Sequence, residues 1–123
     1  MSATYTLKIL ADFASAHTLR DYPGDCRRMH GHNWKLEVEV TANALNQHGM
    51  GMDFKTIKTA TRELAKTLDH RYLNDIPPFD EINPTAENIA QFFYQRLSDT
   101  LNTDTARVSG VTVWETDRAC VKY

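Results

Sequence analysis

Residues 30–40 read HGHNWKLEVEV, an alternation of two kinds of side chain. The even positions are histidine or apolar, and the odd positions are polar or glycine. Successive side chains of a strand point to opposite faces of the sheet, so this period of two predicts a strand with one buried face. Residues 4–17 follow the same period and end at His17. The aperiodic residues 18–29, which include Pro-Gly-Asp, are predicted to be the loop between the two strands.

Two amphipathic helices are predicted next. The first has Asp53 as its N-cap, and its apolar positions recur at intervals of three and four: Phe54, Ile57, Thr61, Leu64 and Leu68. The second has Thr85 as its N-cap and the apolar stripe Ile89, Phe92, Phe93, Leu97 and Leu101. Alternation returns at residues 111–116, and residues 119–123 indicate a short fourth strand. The order β-β-α-α-β-β predicts an α+β fold in which two helices cover one face of an antiparallel sheet.

Size and charge restrict the possible functions. A chain of 123 residues fits a single domain over residues 1–123, too small to enclose a polar substrate without giving up core volume. If the protein is an enzyme, its site is therefore expected to be shallow or shared between subunits. With 14 basic and 16 acidic residues the net charge is −2, which argues against nucleic acid as a partner. The sequence contains neither a signal-peptide pattern nor a long apolar run, so we expect a cytoplasmic protein that does not enter the membrane.

The spacing of three histidines indicates a metal site. His30 and His32 leave the same face of one predicted strand, with Cα atoms about 6.6 Å apart. His17 ends the preceding strand, and an antiparallel hairpin would bring all three imidazoles together. Three neutral imidazoles suit Zn²⁺ and leave its fourth position open, as in catalytic zinc sites. The alternative for any one of them is a hydrogen-bonded core histidine. His48, in a predicted turn, is expected to be exposed.

The two cysteines are predicted to be free thiols, because a cytosolic chain rarely keeps a disulfide. Cys120, between Ala119 and Val121, is expected to be a small buried hydrophobic residue. Cys26 precedes two arginines, which favour its thiolate, and lies in the loop that ends at His30. It could be a fourth zinc ligand that closes the site, or a general base beside an open one.

Two acidic positions also have alternative interpretations. Asp69 and His70 could form an acid–base relay, or His70 could interact with the dipole at the end of the first helix. Glu115 falls on the same predicted face as Val111 and Val113, where an ionised carboxylate is costly unless it is paired. Its partner could be an arginine of this chain or the guanidine-like edge of a pterin or guanine ligand.

Six motifs in one order resemble the 6-pyruvoyl-tetrahydropterin synthase family, and the resemblance runs over nearly the whole chain. They are Phe13-Ala-Ser-Ala-His17, Cys26-Arg-Arg-Met-His30-Gly-His32-Asn33, Met52-Asp53-Phe54, Leu68-Asp69-His70, Pro84-Thr85-Ala86-Glu87-Asn88 and Glu115. The interval of three residues between the cysteine and the first histidine resembles that of the family's bacterial branch. This branch makes 6-carboxy-5,6,7,8-tetrahydropterin in the queuosine pathway.

The resemblance implies a tunnelling fold, in which trimers join their sheets into a barrel and stack as hexamers with sites between subunits. It also implies roles by position: zinc binding for His17, His30 and His32, catalysis for Cys26, Asp69, His70 and Glu115, and recognition of the pterin ring for Glu115 and Thr85.

The implied reaction converts 7,8-dihydroneopterin triphosphate to 6-carboxytetrahydropterin, acetaldehyde and triphosphate. A first alternative is 6-pyruvoyl-tetrahydropterin synthesis, which eliminates triphosphate without cleaving a carbon–carbon bond. A second is a non-catalytic, zinc-stabilised module that binds a pterin or guanine. Candidates for contact with the triphosphate are the basic residues Arg20, Arg27, Arg28, Lys55 and Arg71.

Overall fold

The computed structural model describes residues 3–24 and 27–123. Its strands are β1 (Tyr5–His17), β2 (His30–Ala42), β3 (Arg71–Tyr72), β4 (Ala106–Thr116) and β5 (Ala119–Lys122). Its helices are α1 (Phe54–Lys66) and α2 (Ala86–Leu101), and a short 3-10 turn spans Leu73–Asp75. The predicted α+β order is confirmed, with the two-residue strand β3 added between the helices.

The five strands form one sheet in the order β3-β1-β2-β4-β5. Strands β1 and β2 pair antiparallel from Tyr5 opposite Ala42 to His17 opposite His30, as the alternation predicts. The pairs β2–β4 and β4–β5 are also antiparallel, whereas β3 runs parallel to β1. The sequence does not predict β3, because two residues are too few to show a period.

Both helices pack against one face of the sheet and begin at the predicted caps. The Asp53 carboxylate accepts a hydrogen bond from the Lys55 N–H at 2.8 Å, and the Thr85 hydroxyl accepts one from the Asn88 N–H at 3.1 Å. Beneath the helices, the ring of Phe13 stacks on Trp34 with centroids 6.0 Å apart. This core fixes β1 and β2 along the half of the hairpin that ends at the histidines.

Some details differ from the prediction. The side chain of Phe54, at the first position of α1, is 52% exposed, so the apolar stripe begins at Ile57. Strand β4 begins at Ala106, earlier than the predicted residue 111, because Ala106 and Val108 are also buried. Neither helix in the described ranges is long and apolar enough to span a membrane.

The prediction for Cys120 is wrong, because this residue is exposed. It lies on β5, which is an edge of the sheet and pairs only with β4 among the described strands. A side chain on a short edge strand has too few neighbours to be buried.

Candidate metal centre

Three histidine side chains meet at the end of the β1–β2 hairpin. The pairing of His17 with His30, and of Ser15 with His32, places all three imidazoles on the helix-covered side of the sheet. Their ring centroids lie 4.5 Å (His17–His30), 5.2 Å (His17–His32) and 4.9 Å (His30–His32) apart. The convergence expected from the sequence is therefore present.

Main-chain carbonyls orient two of these rings. Nδ1 of His17 donates to the carbonyl of Pro84 at 2.8 Å, and Nδ1 of His30 donates to the carbonyl of Arg28 at 2.7 Å. A carbonyl only accepts hydrogen bonds, so each of these Nδ1 atoms carries the proton and the Nε2 atom keeps its lone pair. Metal-binding histidines are commonly fixed in this way, with the second nitrogen bonded to a carbonyl or carboxylate.

Glu115, near the end of β4, completes the group. One of its carboxylate oxygens lies 3.3 Å from Nε2 of His17 and 3.6 Å from Nε2 of His32. Ligand atoms from the three histidines and Glu115 lie within 4.8 Å of one another, so the group could hold a metal ion. In the sequence, Glu115 stood out as a carboxylate on an apolar face of a strand. The structure explains this position, because the Glu115 side chain lies in the metal group.

The donor set fits a metal. Nε2 of His17 and Nε2 of His32 are both buried, and neither forms a hydrogen bond within the described residues. The Glu115 oxygen lies near both nitrogens but forms a hydrogen bond with neither. A buried polar atom without a partner is costly, and a bound cation at these nitrogens would remove that cost. Imidazole nitrogens are ligands that suit a transition metal such as zinc.

Burial favours the neutral form of two of these imidazoles, those of His17 and His32. Desolvation lowers the pKa of His17 below its usual 6.5, and the neighbouring His30 acts in the same direction. Desolvation also lowers the pKa of His32, although the Glu115 carboxylate opposes it. A neutral imidazole is the form that binds a metal, so the site is ready for a cation at neutral pH.

Without metal, the protein should lose stability in mild acid. Because the folded state lowers the pKa of His17, the unfolded chain binds this proton more readily. The stabilisation is complete above about pH 6.5 and is lost as pH falls through the lower folded value. Thermal unfolding in the presence of a chelator, from about pH 8 to about pH 5, measures this. The variant His17→Gln should show a flatter profile, and equal slopes for both proteins would contradict the expectation.

Asp69 and His70 form a separate pair just before β3, which borders β1 on the side away from β2. Asp69 accepts a hydrogen bond from the Ala14 N–H at 2.8 Å, and this bond is the main reason that its pKa is lowered. Nδ1 of His70 lies 2.9 Å from the other carboxylate oxygen, and the His70 side chain is 82% exposed. Helix α1 ends at Lys66, so His70 bonds to Asp69 outside the last helical turn. The two side chains are therefore paired with each other, and their role as an acid–base relay stays a prediction.

The pair does not join the metal group within this chain. His70 and His32 both line one open depression of about 470 Å³. The backbone of His70 has a φ of 57°, in the left-handed region that non-glycine residues rarely adopt. The His70 side chain is largely exposed, so its imidazole can be reached from solvent.

A second cavity, of about 540 Å³, lies beside the metal group. Its lining includes Glu115, Thr85, Tyr22 and the exposed Cys120. The Thr85 hydroxyl already accepts the capping hydrogen bond of α2, but it retains a proton to donate. Glu115 thus borders both the metal group and this cavity, so one carboxylate can contact both a cation and a ligand ring.

Two other sequence expectations meet the structure differently. Cys26 lies outside the described residues. The guanidinium of Arg20, a candidate for triphosphate contact, donates to three main-chain carbonyls, those of Ile82, Asn74 and Phe79. Arg20 is therefore used within the fold, and its contact with a triphosphate stays a prediction. The sequence could not show these bonds, because the acceptors are main-chain atoms more than fifty positions away.

Comparison with known proteins places this geometry in a family. Residues 6–123 match the family described as 6-pyruvoyl tetrahydropterin synthase. The 6-carboxy-5,6,7,8-tetrahydropterin synthase of Synechocystis is 38% identical over 92 residues, which cover 71% of this chain and 70% of that one. The 6-pyruvoyl tetrahydrobiopterin synthase of Dictyostelium discoideum is 32% identical over 113 residues, which cover 82% and 84%.

A solved structure shows the same fold. The 6-pyruvoyl tetrahydropterin synthase of Caenorhabditis elegans superposes with a TM-score of 0.87 at 24% identity, covering 99% of this chain and 96% of that one. The match over the length of the sequence, together with this fold and the histidine cluster, leads to one conclusion. The chain belongs to the 6-pyruvoyl tetrahydropterin synthase family.

Proposed function

We propose that this protein is a zinc-dependent 6-carboxytetrahydropterin synthase of queuosine biosynthesis. It would convert 7,8-dihydroneopterin triphosphate and water to 6-carboxy-5,6,7,8-tetrahydropterin, acetaldehyde and triphosphate. The observation that carries the proposal is the group of His17, His30, His32 and Glu115, which borders a cavity large enough for a pterin. The Synechocystis relative, which bears this enzyme name, supports the choice of product.

The three histidines would hold the zinc. Their Nε2 atoms converge, and the proton of Nδ1 is fixed by a carbonyl in His17 and in His30. Zinc bound at these nitrogens supplies Lewis-acid polarisation of a hydroxyl or carbonyl oxygen on the substrate side chain. The buried position of His17 excludes water from one side of the site.

Glu115 and Thr85 would hold the pterin ring. The guanidine-like edge of a pterin presents two parallel N–H groups, and the two oxygens of a carboxylate can accept both. Because Glu115 borders the metal group and the cavity, a ring held there would place its side chain near the histidines. Such positioning determines which carbon reacts.

Cys26 and His70 would move the protons. Asp69 holds Nδ1–H of His70, which leaves Nε2 as the basic atom, and the Cys26 thiolate would be a second acceptor. Together they would remove and return protons at the side-chain carbons during triphosphate loss, tautomerisation and retro-aldol cleavage. Arg71 follows His70 and lines the same depression, so it is the candidate from this region for triphosphate contact.

The active assembly would be a homo-oligomer, a trimer or hexamer, of single-domain chains. The support is that His70 lies outside the metal group and adjoins β3 at one edge of the sheet, whereas the cavity that Glu115 borders is lined by β5 at the other edge. Strands β3 and β5 form the two edges of the sheet, and joining such edges between subunits would close a barrel.

The product distinguishes this proposal from its nearest alternative. Zinc-loaded protein incubated with 7,8-dihydroneopterin triphosphate should release acetaldehyde and triphosphate in equal amounts, because carbon–carbon cleavage accompanies elimination. A carbonyl-trapping reagent and mass spectrometry measure both. Triphosphate release without acetaldehyde would identify the 6-pyruvoyl product, which the Dictyostelium relative's name favours. The absence of both products, with the pterin still bound, would indicate a non-catalytic module.

A further inference from the structure

Two asparagines fasten the chain just after His17 to the segment 73–84. The Thr18 N–H donates to the Asn74 side-chain oxygen, and the Asn74 amide donates to the Thr18 carbonyl, both at 2.9 Å. Asn83 repeats the pattern on Arg20, accepting from its N–H at 2.8 Å and donating to its carbonyl at 3.1 Å. The asparagines thus satisfy alternate main-chain groups as a paired strand would, although β1 has ended.

The Arg20 side chain also binds to the segment 73–84. Its guanidinium donates to the carbonyls of Phe79 at 2.7 Å, Ile82 at 3.2 Å and Asn74 at 3.3 Å. The Asn83 carbonyl in turn accepts from the Asn88 side-chain amide at 2.8 Å. Asn83 is therefore held through its main chain and through its side chain, which fixes the position of the next residue, Pro84.

Pro84 is the residue whose carbonyl orients His17. This carbonyl accepts from His17 Nδ1 at 2.8 Å, in a buried contact, and the opposite ring nitrogen faces His32 and Glu115. We propose that Asn83 and Arg20 are positioning residues of the metal centre: they hold the Pro84 carbonyl where it directs the lone pair of His17 Nε2 at the cation. The inference rests on the metal centre of the proposed function and is independent of the reaction product.

A purely structural role for Asn83 makes a different prediction. It would lower the stability of the fold without a specific effect on metal affinity. Asn102 offers a matched comparison, since its side-chain oxygen accepts from the Val108 N–H at 2.8 Å, at the far end of α2. Both Asn83→Ala and Asn102→Ala remove an asparagine that bonds to the main chain. Only Asn83 precedes Pro84, the residue whose carbonyl orients His17.

The experiment measures zinc affinity of the full chain by competition with a chromophoric chelator, and thermal unfolding of the same samples. Asn83→Ala should weaken zinc binding about 10- to 100-fold, the range found for partners of metal-binding histidines. Asn102→Ala should stay within about threefold of wild type. The absorption of bound Co²⁺ should also change in Asn83→Ala, because a tilted imidazole alters the ligand field, and should be unchanged in Asn102→Ala.

Two results would overturn the inference. One is zinc affinity in Asn83→Ala equal to that of wild type. The other is an equal loss in both variants, which would reflect stability alone. If Asn83→Ala fails to fold, Asn83→Asp keeps the shape and the acceptor but loses the donor to Arg20, and it should show a smaller loss in the same direction. If Asn83→Asp binds zinc as tightly as the wild type, the inference is again rejected. If the wild-type protein itself does not bind zinc, the metal centre of the proposed function is rejected.

Discussion

His32→Ala is expected to abolish zinc binding and turnover together. His32 contributes one of three imidazoles that converge with centroids about 5 Å apart, and no other imidazole in the described ranges is part of this group. Losing one of three ligands should weaken zinc affinity by more than the roughly 100-fold limit seen for outer partners. Since Lewis-acid polarisation contributes several kcal/mol to a transition state, turnover should fall by about a thousandfold or more.

Metal analysis of the purified variant, combined with the acetaldehyde assay, checks this expectation. His48→Ala is the matched control, because His48 is exposed in the turn before α1 and does not belong to the metal group. It should bind zinc and turn over like the wild type. Full zinc content with unchanged turnover in His32→Ala would show that the three-histidine centre is not the catalytic metal site.

The histidine cluster could be predicted from the sequence because it depends on local order. Alternation in residues 30–40 and 4–17 defines two strands, and a short loop between them requires antiparallel pairing. Pairing then places His17 opposite His30, and a strand period of two adds His32 to the same face. Each step uses neighbours in sequence, so few alternatives remain.

The rest of the site depends on contacts between distant segments. Glu115 could be singled out as a carboxylate on an apolar face, but nothing in its neighbourhood shows that it lies 3.3 Å from His17. The role of Arg20 could not be predicted either, because its acceptors are main-chain carbonyls. Every residue has such a carbonyl, so the residue types around it give no signal. Strand β3 arises only because Arg71 and Tyr72 meet the outer edge of β1. Such features follow from the packing of the whole fold.

Cys26→Ala and His70→Ala should each be inactive alone and active when assembled together. General acid–base residues contribute about 10²- to 10⁴-fold, so each single variant should lose that much turnover while Cys26→Ala keeps its zinc. A non-catalytic module closed by Cys26 would instead lose zinc in Cys26→Ala. His48→Ala, at the exposed histidine of the turn before α1, is the control and should keep most of its turnover.

The reason for recovery lies in the order of the strands. His70 adjoins β3 at one edge of the sheet, whereas the cavity beside Glu115 is lined by β5 at the other edge. If subunits join β3 to β5, the His70 of one chain meets the metal group of the next.

In a cyclic assembly of both variants in equal amounts, half the sites would have an intact Cys26, and half of those would face an intact His70. Co-expressed protein should therefore recover about a quarter of wild-type turnover, since each site draws independently on two chains. A co-expressed pair as inactive as the single variants would mean that Cys26 and His70 act within one chain, and the shared site would be wrong.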